Sequence, residues 1–361
     1  MPNVHVDLAE RSYDVLVDPA LLGSAGSLVR SAVPGRTRVA VISDKTVATL
    51  HAGTLLESLK SAGLDPTLHV VPAGEASKSM SHVETLCREM TRDGHDRKSL
   101  VIALGGGVVG DLAGFVAAVF YRGIPFVQIP TTIVSQVDSS VGGKTGVNIA
   151  EGKNLLGAFH QPRLVLVDPE TLSTLADREF REGFAEVVKH AAIRDAGMLD
   201  ELAGLDPSSR DVPADLIARN IAIKARIVEE DEHETLGVRA LLNFGHTIGH
   251  GIEAAVPYGE LLHGEAISLG IRAALFLSER RAGLDAAVSA KILGLLDHFG
   301  LPVVLAPEIG TDTILEKLAR DKKFSSGSIR FVVLRAAGDA FVTDKVTADD
   351  LRDAIEHLRT S

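Results

Sequence analysis

Three histidines in the second half of the chain have the types and spacing expected of a metal site. His246 and His250 are four residues apart, which places both imidazoles on one helix face, and His263 follows thirteen residues later. Imidazole nitrogens combined with a carboxylate and one open position form a common type of catalytic zinc site. We therefore predict that these histidines belong to a metal-centred active site.

Such a site needs a carboxylate from elsewhere in the chain, and Glu186 is the best candidate. It lies in an apolar, helix-compatible stretch, where a carboxylate requires a reason. His190, four residues further on, would share its helix face and is a rival ligand. The chain has no His-Glu-x-x-His motif, which argues against a zinc protease. The alternative is that the three histidines pack between helices or lie on the surface.

A second motif, Gly105-x-Gly107-x-x-Gly110, follows a predicted strand and opens a helical stretch. Glycines here let backbone N–H groups approach a pyrophosphate, and the helix N-terminus favours its charge. The pattern alone also fits an ordinary strand-to-helix turn, and the usual acidic residue about 20 positions downstream is missing. Asp44, which ends an earlier predicted strand, is the candidate partner for a ribose.

Gly143-Lys144-Thr145 resembles the end of a phosphate-binding P-loop, but Asp138 occupies the position of the required glycine. We therefore reject an NTPase. What remains is a polar, cation-containing group that is either a surface loop or a shaped loop close to a ligand. Pro130-Thr131-Thr132 and Gly142-Gly143 favour the second alternative. The group consists of Arg122, Asp138, Lys144, Lys153 and Asn154.

The elements that must position these residues differ between the two halves of the chain. Four short apolar runs predict buried strands, and helical periodicity between several of them predicts a parallel sheet; the runs are 38–44, 100–104, 126–130 and 164–168. Long helix-compatible segments follow at 180–195, 216–232 and 265–282, with one late strand-like run at 329–334. We predict an α/β nucleotide-binding domain at residues 1–172 and a mainly α-helical metal-binding domain at 173–361.

Composition limits the partners. The formal net charge of the 361 residues is −11, with no basic block suited to nucleic acid. Cys87 is the single cysteine, so an internal disulfide is impossible. No run approaches the roughly 20 apolar residues of a membrane span, and the N-terminus has no signal core. We expect a cytoplasmic protein that holds an anionic substrate with local cations.

The motifs together resemble the 3-dehydroquinate synthase family over essentially the whole chain. The resemblance is carried by the runs 105–111, 130–148, 152–162, 186–189, 241–250 and 263–265. It implies an NAD-binding α/β domain, a helical domain that binds Zn²⁺ (or Co²⁺), and a homodimer. It also implies the shikimate-pathway reaction that converts 3-deoxy-D-arabino-heptulosonate 7-phosphate to 3-dehydroquinate and phosphate.

The resemblance also assigns roles to individual residues. Glu186, His246 and His263 would be the zinc ligands, and His250 would face the substrate as a proton-transfer group. The NAD contacts would be Asp44, Glu75, Lys78, Gly106, Gly107, Asp111, Thr131, Thr132, Asp138, Ser139, Lys153, Thr174 and Glu179. The substrate contacts would be Arg122 (reaching across the dimer interface), Lys144, Asn154, Lys189, Lys224, Arg239, Asn243 and one lysine of Asp321-Lys322-Lys323, taken as Lys323.

The sequence departs from the family pattern at two places. The segment 231–239 carries one residue more than the pattern, so no role is carried over to Glu234. His190 stands where the family more often has another residue type.

Three alternative functions stay open. They are a 2-epi-5-epi-valiolone or 2-deoxy-scyllo-inosose synthase, a metal-dependent polyol dehydrogenase, and a non-enzymatic metal-binding protein. The runs 138–144 and 157–162 favour the dehydroquinate branch.

Overall fold

The computed structural model describes residues 1–257, 259–319 and 329–360. The strands are β1 Asn3–Val6, β2 Tyr13–Val17, β3 Arg38–Asp44, β4 Asp65–Val71, β5 Leu100–Gly105, β6 Phe126–Pro130, β7 Lys144–Ile149, β8 Gly152–Phe159, β9 Leu164–Val167, β10 Ile329–Ala336 and β11 Asp339–Val346. The helices are α1 Leu21–Ala32, α2 Lys45–Val47, α3 Gly53–Ser61, α4 Met80–Arg92, α5 Gly107–Val119, α6 Asp177–Glu182, α7 Phe184–Arg194, α8 Ala196–Ala203, α9 Ala214–Glu230, α10 His246–Ala255, α11 His263–Ala282, α12 Ala286–His298, α13 Thr311–Ala319 and α14 Ala348–His357.

The chain forms two compact units. The first consists of residues 1–175 and 210–229, and the second of residues 176–209 and 230–361. The first unit is therefore discontinuous in sequence. Its returning segment contains most of α9 and is tied back by two contacts, Asp7 N–H to Glu229 Oε1 at 2.9 Å and Lys224 Nζ to Asp138 Oδ1 at 2.9 Å.

A seven-stranded sheet in the order β1-β2-β9-β6-β5-β3-β4 organises the first unit. Every neighbouring pair is parallel except the N-terminal pair β1–β2. Alternate residues of β3 point to opposite faces, with Val39 and Val41 packing in one apolar cluster and Ala40 and Ile42 in another. Helices α1 and α3 contribute to the first cluster and α4 and α5 to the second, so both faces of the sheet are covered. The antiparallel hairpin β7–β8 forms a separate two-stranded sheet.

The second unit is mainly helical, with the antiparallel hairpin β10–β11 as its only sheet among the described residues. The most extensive helix pairing joins α10 to α11, and α11 also packs against α7. Glycines make the α10–α11 contact close: a Cβ on Gly270 would lie 1.9 Å from the carbonyl oxygen of Gly245. The helices of this unit therefore meet backbone to backbone where the predicted ligands lie.

The predicted fold class, an α/β domain followed by a mainly helical domain, is confirmed. Strands β3 and β6 have the predicted bounds, and six strands were not predicted, namely β1, β2, β4, β7, β8 and β11. The prediction of one continuous helix at 180–195 was wrong, because the helix is interrupted at Gly183. Glu186 therefore lies in the first turn of α7 and not in the middle of a helix. Within the described ranges, no helix is long and apolar enough to cross a membrane.

Candidate functional site

Glu186, His246 and His263 converge in the second unit. His246 and His263 are the first residues of α10 and α11, and Glu186 is in the first turn of α7. Oε1 of Glu186 lies 3.3 Å from Nε2 of His246 and 3.3 Å from Nε2 of His263. One donor atom from each residue lies within 4.8 Å of the others. A set of one carboxylate and two imidazoles, with Glu186 and His246 buried and His263 partly exposed, fits a catalytic zinc ion.

The N-terminus of α11 is fixed by contacts with α6. Glu182 accepts a hydrogen bond from the Gly264 N–H at 2.7 Å, and a Cβ at Gly264 would lie 1.9 Å from the Glu182 carbonyl oxygen. Glu265 accepts the Leu262 N–H at 2.8 Å and forms a bidentate pair with Arg178. These contacts fix Leu262 and Gly264, the two neighbours of His263 in sequence. The position of the His263 imidazole therefore depends on tertiary packing.

The electrostatics of the cluster favour an ionised carboxylate. Burial alone would raise the pKa of Glu186, but Lys189, His246 and His263 together hold it well below its usual value. Burial also opposes a charge on His263, yet hydrogen bonds to Glu186 and Glu253 raise its pKa to about 10. Burial lowers the pKa of His246. A cation that binds here therefore competes with the proton on His263.

His250 lies beside this cluster, with its ring centroid 5.1 Å from that of His246 and 5.9 Å from that of His263. A second potential ligand set joins His250 and His263 to Glu253. The structure therefore groups His246 with Glu186, as the resemblance implies, and leaves His250 outside that group. His190 is fully buried on α7 and also offers a ligand atom within 4.8 Å of one from Glu186, so it stays a rival ligand.

Arg239 and Asn243 belong to a short 3₁₀ segment that precedes α10. Buried Arg239 donates through Nη1 to the Glu232 carbonyl at 2.6 Å, and its Nε lies 3.6 Å from Glu234. Asp231 accepts backbone N–H groups of Thr235, Leu236 and Arg239, which organises the segment carrying the additional residue. A cavity nearby is lined by Ala240, Asn243, Thr247, Arg330, Val332 and Val342.

In the first unit, the glycine motif lies between β5 and α5. A Cβ at Gly106 would lie 3.1 Å from Cγ2 of Thr132, and one at Gly107 would lie 3.1 Å from Oγ of Ser139. Thr131 donates its N–H to the Gly105 carbonyl at 3.0 Å. Glycine thus keeps open the space at the start of α5, and the predicted threonines and serine border it. This arrangement fits a helix N-terminus that binds phosphate groups.

Asp44 ends β3, which lies beside β5 with Ser43 opposite Leu104. The carboxylate caps the following helix by accepting the N–H groups of Thr46 at 2.8 Å and Val47 at 3.0 Å. Because parallel strands end at the same edge of a sheet, Asp44 and the glycine motif share one edge. That geometry brings an acidic residue to the edge of the sheet that carries the glycine motif, although none lies about 20 positions downstream of the motif in sequence.

A polar network joins further predicted residues of the first unit. Lys78 contacts Asp111, and burial raises the pKa of Asp111 while Lys78 opposes that rise. Glu75 accepts from the Asn148 side chain at 2.7 Å. Asn148 also donates its N–H to the Lys78 carbonyl and accepts the Asn154 N–H, each at 2.9 Å. Sequence reasoning did not single out Asn148, although it links both parts of this network.

Among the remaining predicted residues, Thr174 and Lys224 make defined contacts within the first unit. Thr174 bonds the imidazole of His51 at 3.0 Å, and Lys224 contacts the carboxylate and the carbonyl of Asp138. The other residues of the set are exposed in their own units, and they are Arg122, Lys144, Lys153, Asn154 and Glu179. Arg122 and Asn154 adopt positive φ values of 68° and 56°, which non-glycine residues rarely do. Lys322 and Lys323 lie outside the described residues.

Solved structures with this fold define a class of enzymes. A 2-epi-5-epi-valiolone synthase from Streptomyces hygroscopicus, solved with NAD⁺ and Zn²⁺, matches with a TM-score of 0.88 and 33% identity over 98% of each chain. A 2-deoxy-scyllo-inosose synthase complexed with carbaglucose-6-phosphate, NAD⁺ and Co²⁺ matches with a TM-score of 0.89 and 25% identity, over 99% of this chain and 100% of that one. The fold is therefore that of a sugar phosphate cyclase.

The sequence assigns the chain to one family within this class. Residues 68–182 match the N-terminal domain of 3-dehydroquinate synthase, and residues 183–324 match its C-terminal domain. A 3-dehydroquinate synthase from Pelobacter propionicus is 46% identical over 351 residues, 96% of each chain. The chain belongs to the 3-dehydroquinate synthase family, and the predicted resemblance is confirmed.

Proposed function

We propose that this protein converts 3-deoxy-D-arabino-heptulosonate 7-phosphate to 3-dehydroquinate and phosphate, the reaction of its family. The observation that carries this proposal is the Glu186–His246–His263 cluster in a chain whose other unit has a glycine-lined helix N-terminus. The two cyclases of similar fold share only 33% and 25% identity with the chain, against 46% for the dehydroquinate synthase, so the family's own reaction is favoured over theirs.

We propose Glu186, His246 and His263 as ligands of a zinc ion, for which cobalt can substitute. Zinc, when bound, supplies a Lewis acid that stabilises negative charge on a substrate oxygen. His250, adjacent to the set but outside it, is proposed to transfer a proton to or from the substrate. Lys189 is buried on α7 and contacts Glu186. With a metal ion neutralising the Glu186 carboxylate, the Lys189 ammonium group is proposed to bind the substrate.

For NAD, we propose a site in the first unit at the carboxyl edge of β3 and β5. Gly106 and Gly107 would leave room for the pyrophosphate, and Asp44 would accept hydrogen bonds from a ribose. NAD supplies a redox couple that is used and restored within one turnover. We propose residues 1–172 as the NAD-binding domain and residues 173–361 as the metal- and substrate-binding domain. Lys224 lies in the second range, but its segment belongs to the first compact unit.

The substrate carries a phosphate and a carboxylate, and the chain has a net charge of −11. Local cations must therefore bind both anions. The proposed group comprises Arg122, Lys144, Asn154, Lys189, Lys224, Arg239, Asn243 and Lys323.

We also propose a cytoplasmic homodimer. A single cysteine fits a reducing compartment, and β8 exposes Leu155, Leu156 and Phe159 at 57%, 39% and 45%. Apolar side chains exposed along one strand are typical of an interface. Arg122, in its positive-φ loop, is proposed to reach the partner's substrate. Light scattering would test the dimer, and a monomeric, fully active enzyme would contradict it.

The test of the proposed function is phosphate release from the heptulosonate phosphate with NAD supplied. We expect release without net NADH, loss of release after chelation, and recovery with zinc. Net NADH production would instead indicate a polyol dehydrogenase. Faster release from sugar phosphates that lack the carboxylate would indicate another cyclase, and stoichiometric zinc without any turnover would indicate a binding protein.

A further inference from the structure

The two imidazoles of the proposed zinc site are oriented by different means. Nδ1 of His246 lies 3.1 Å from the carbonyl oxygen of Phe244, two residues away on the same backbone. Nδ1 of His263 lies 3.5 Å from Oε2 of Glu253, a side chain on the neighbouring helix α10. The side chain of His263 is also the more exposed, at 34% against 11% for His246. His263 is thus held less firmly by its own surroundings.

We infer that Glu253 is a positioning residue that fixes the tautomer and ring orientation of His263 for metal binding. This inference rests on the proposed zinc site. When Glu253 accepts the Nδ1–H bond, the proton is held on that nitrogen and the Nε2 lone pair is available to the metal. Histidine ligands commonly donate their other N–H to a carboxylate or a carbonyl, which also raises the basicity of the ligand.

Glu253 is better described as a partner of His263 than as a ligand of the same metal ion. Glu186 and Glu253 lie on opposite nitrogens of the His263 ring, Nε2 and Nδ1, whose lone pairs point in divergent directions. A metal bound with Glu186 and His246 uses Nε2 and leaves Nδ1 for a hydrogen bond. The side chain of Glu253 is 17% exposed, so it is partly shielded from water.

The experiment compares zinc dissociation constants, measured by competition with a chromophoric chelator in the full-length protein without substrate or NAD. We expect Glu253→Ala to raise the constant about 10- to 100-fold, the usual cost of losing such a partner. Glu253→Gln retains an acceptor oxygen and should lose less affinity. Glu279→Ala, on the exposed far part of α11, is the matched control and should not change the affinity.

The cobalt-substituted protein gives a second readout that a merely structural role would not change. We expect the visible absorption bands of cobalt to shift in Glu253→Ala and to remain in Glu279→Ala. If the alanine variant does not fold, the comparison of Glu253→Gln with Glu253→Asp tests the inference instead. The Glu253→Asp variant should bind zinc more weakly than the Glu253→Gln variant, because the shorter side chain does not reach Nδ1 of His263.

Several results would overturn the inference. They are an unchanged zinc affinity in Glu253→Ala, equal losses in the alanine and glutamine variants, or tighter binding by Glu253→Asp than by Glu253→Gln. A His250→Ala variant that loses zinc as strongly would place the metal among His250, Glu253 and His263 instead. Failure of the wild-type protein to release phosphate while binding zinc would contradict the proposed reaction and leave the role of Glu253 intact.

Discussion

At the residue scale, three imidazoles whose ring centroids lie 5.1 to 5.9 Å apart differ in chemistry because their neighbours differ. His246 and His263 both face the Glu186 carboxylate through Nε2. His250 belongs to the exposed side of α10, although it is only one helical turn from His246. Ligand and proton-transfer roles can therefore be separated by single substitutions.

His246→Ala should remove one of three protein ligands and leave a site with Glu186 and His263 only. We expect zinc binding to weaken by more than about 100-fold, beyond the usual cost of losing a hydrogen-bonding partner of a ligand, and activity to be lost with the metal. Metal content after gel filtration checks this. A variant that retains stoichiometric zinc would refute the ligand assignment.

His250→Ala should bind zinc normally and turn over slowly. Loss of a positioned acid or base typically costs about 10²- to 10⁴-fold in rate, so we expect a fall of that order in kcat. Zinc content and phosphate release are measured on the same preparation. Substoichiometric zinc in this variant would make His250 a ligand.

At the element scale, the position of the ligands depends on how closely α10 and α11 approach. A methyl group at Gly270 would overlap the Gly245 carbonyl. We expect Gly270→Ala to destabilise the fold by about 3 kcal/mol or more, at the upper end of overpacking effects, and to weaken zinc binding. Urea unfolding and chelator competition measure both quantities.

Gly294→Ala is the control for this prediction. It lies within α12 with open space around it, so alanine should stabilise the helix by about 0.5–1 kcal/mol. Equal effects of the two substitutions would contradict the close approach of α10 and α11.

A second element-scale feature is a buried histidine pair between β4 and the end of α4. The Thr67 hydroxyl lies 2.9 Å from Nε2 of His69 and 2.7 Å from Nε2 of His95. The hydroxyl can donate its proton to only one of these two nitrogens, so the other nitrogen must donate an N–H to the hydroxyl oxygen. Burial, followed by His69 and Arg38, lowers the pKa of His95, while Asp93 and Asp65 oppose this. Glu89 and Asp93 face His69.

Because the pKa of His95 is lower in the folded protein, the unfolded chain takes up the proton first as the pH falls below the ordinary value of 6.5. The contribution of His95 to stability should therefore decrease from pH 7.5 to about pH 5.5, so that lowering the pH costs the wild type more stability than it costs His95→Gln. Urea unfolding at both pH values tests this, with exposed His5→Gln as the control. Identical slopes in the wild type and His95→Gln would contradict it.

The sequence predicted the elements that carry local signals, such as β3 ending in Asp44 and β5 ending at Gly105. It did not predict the break at Gly183, because that break accompanies the packing of Gly264 against Glu182, more than 80 residues away. Spacing also favoured His250 over His263 as the partner of His246. The choice depends on where α11 begins relative to α7, which is a tertiary property, and the family resemblance supplied it.

At the scale of the whole molecule, the proposed sites for zinc and NAD lie in different units, so their stabilising effects should be separable. Each ligand at 100 times its Kd should stabilise the folded state by about 2.7 kcal/mol, which corresponds to several degrees in Tm. We expect His246→Ala to lose the shift caused by zinc and to retain the shift caused by NAD. Calorimetric scans with each ligand measure this, and loss of both shifts would contradict separate sites.

The discontinuity of the first unit also bears on its synthesis by the ribosome. The sheet is complete in sequence at β9, yet residues 210–229, which carry Lys224 and Glu229, emerge only after residues 176–209 of the other unit. At about 5–20 residues per second, residues 176–229 take roughly 3 to 11 s to synthesise. During that interval the nascent sheet lacks α9, and Asp138 lacks its ion-pair partner Lys224. We therefore expect a chain stalled near residue 200 to be captured by chaperones more readily than the full-length chain.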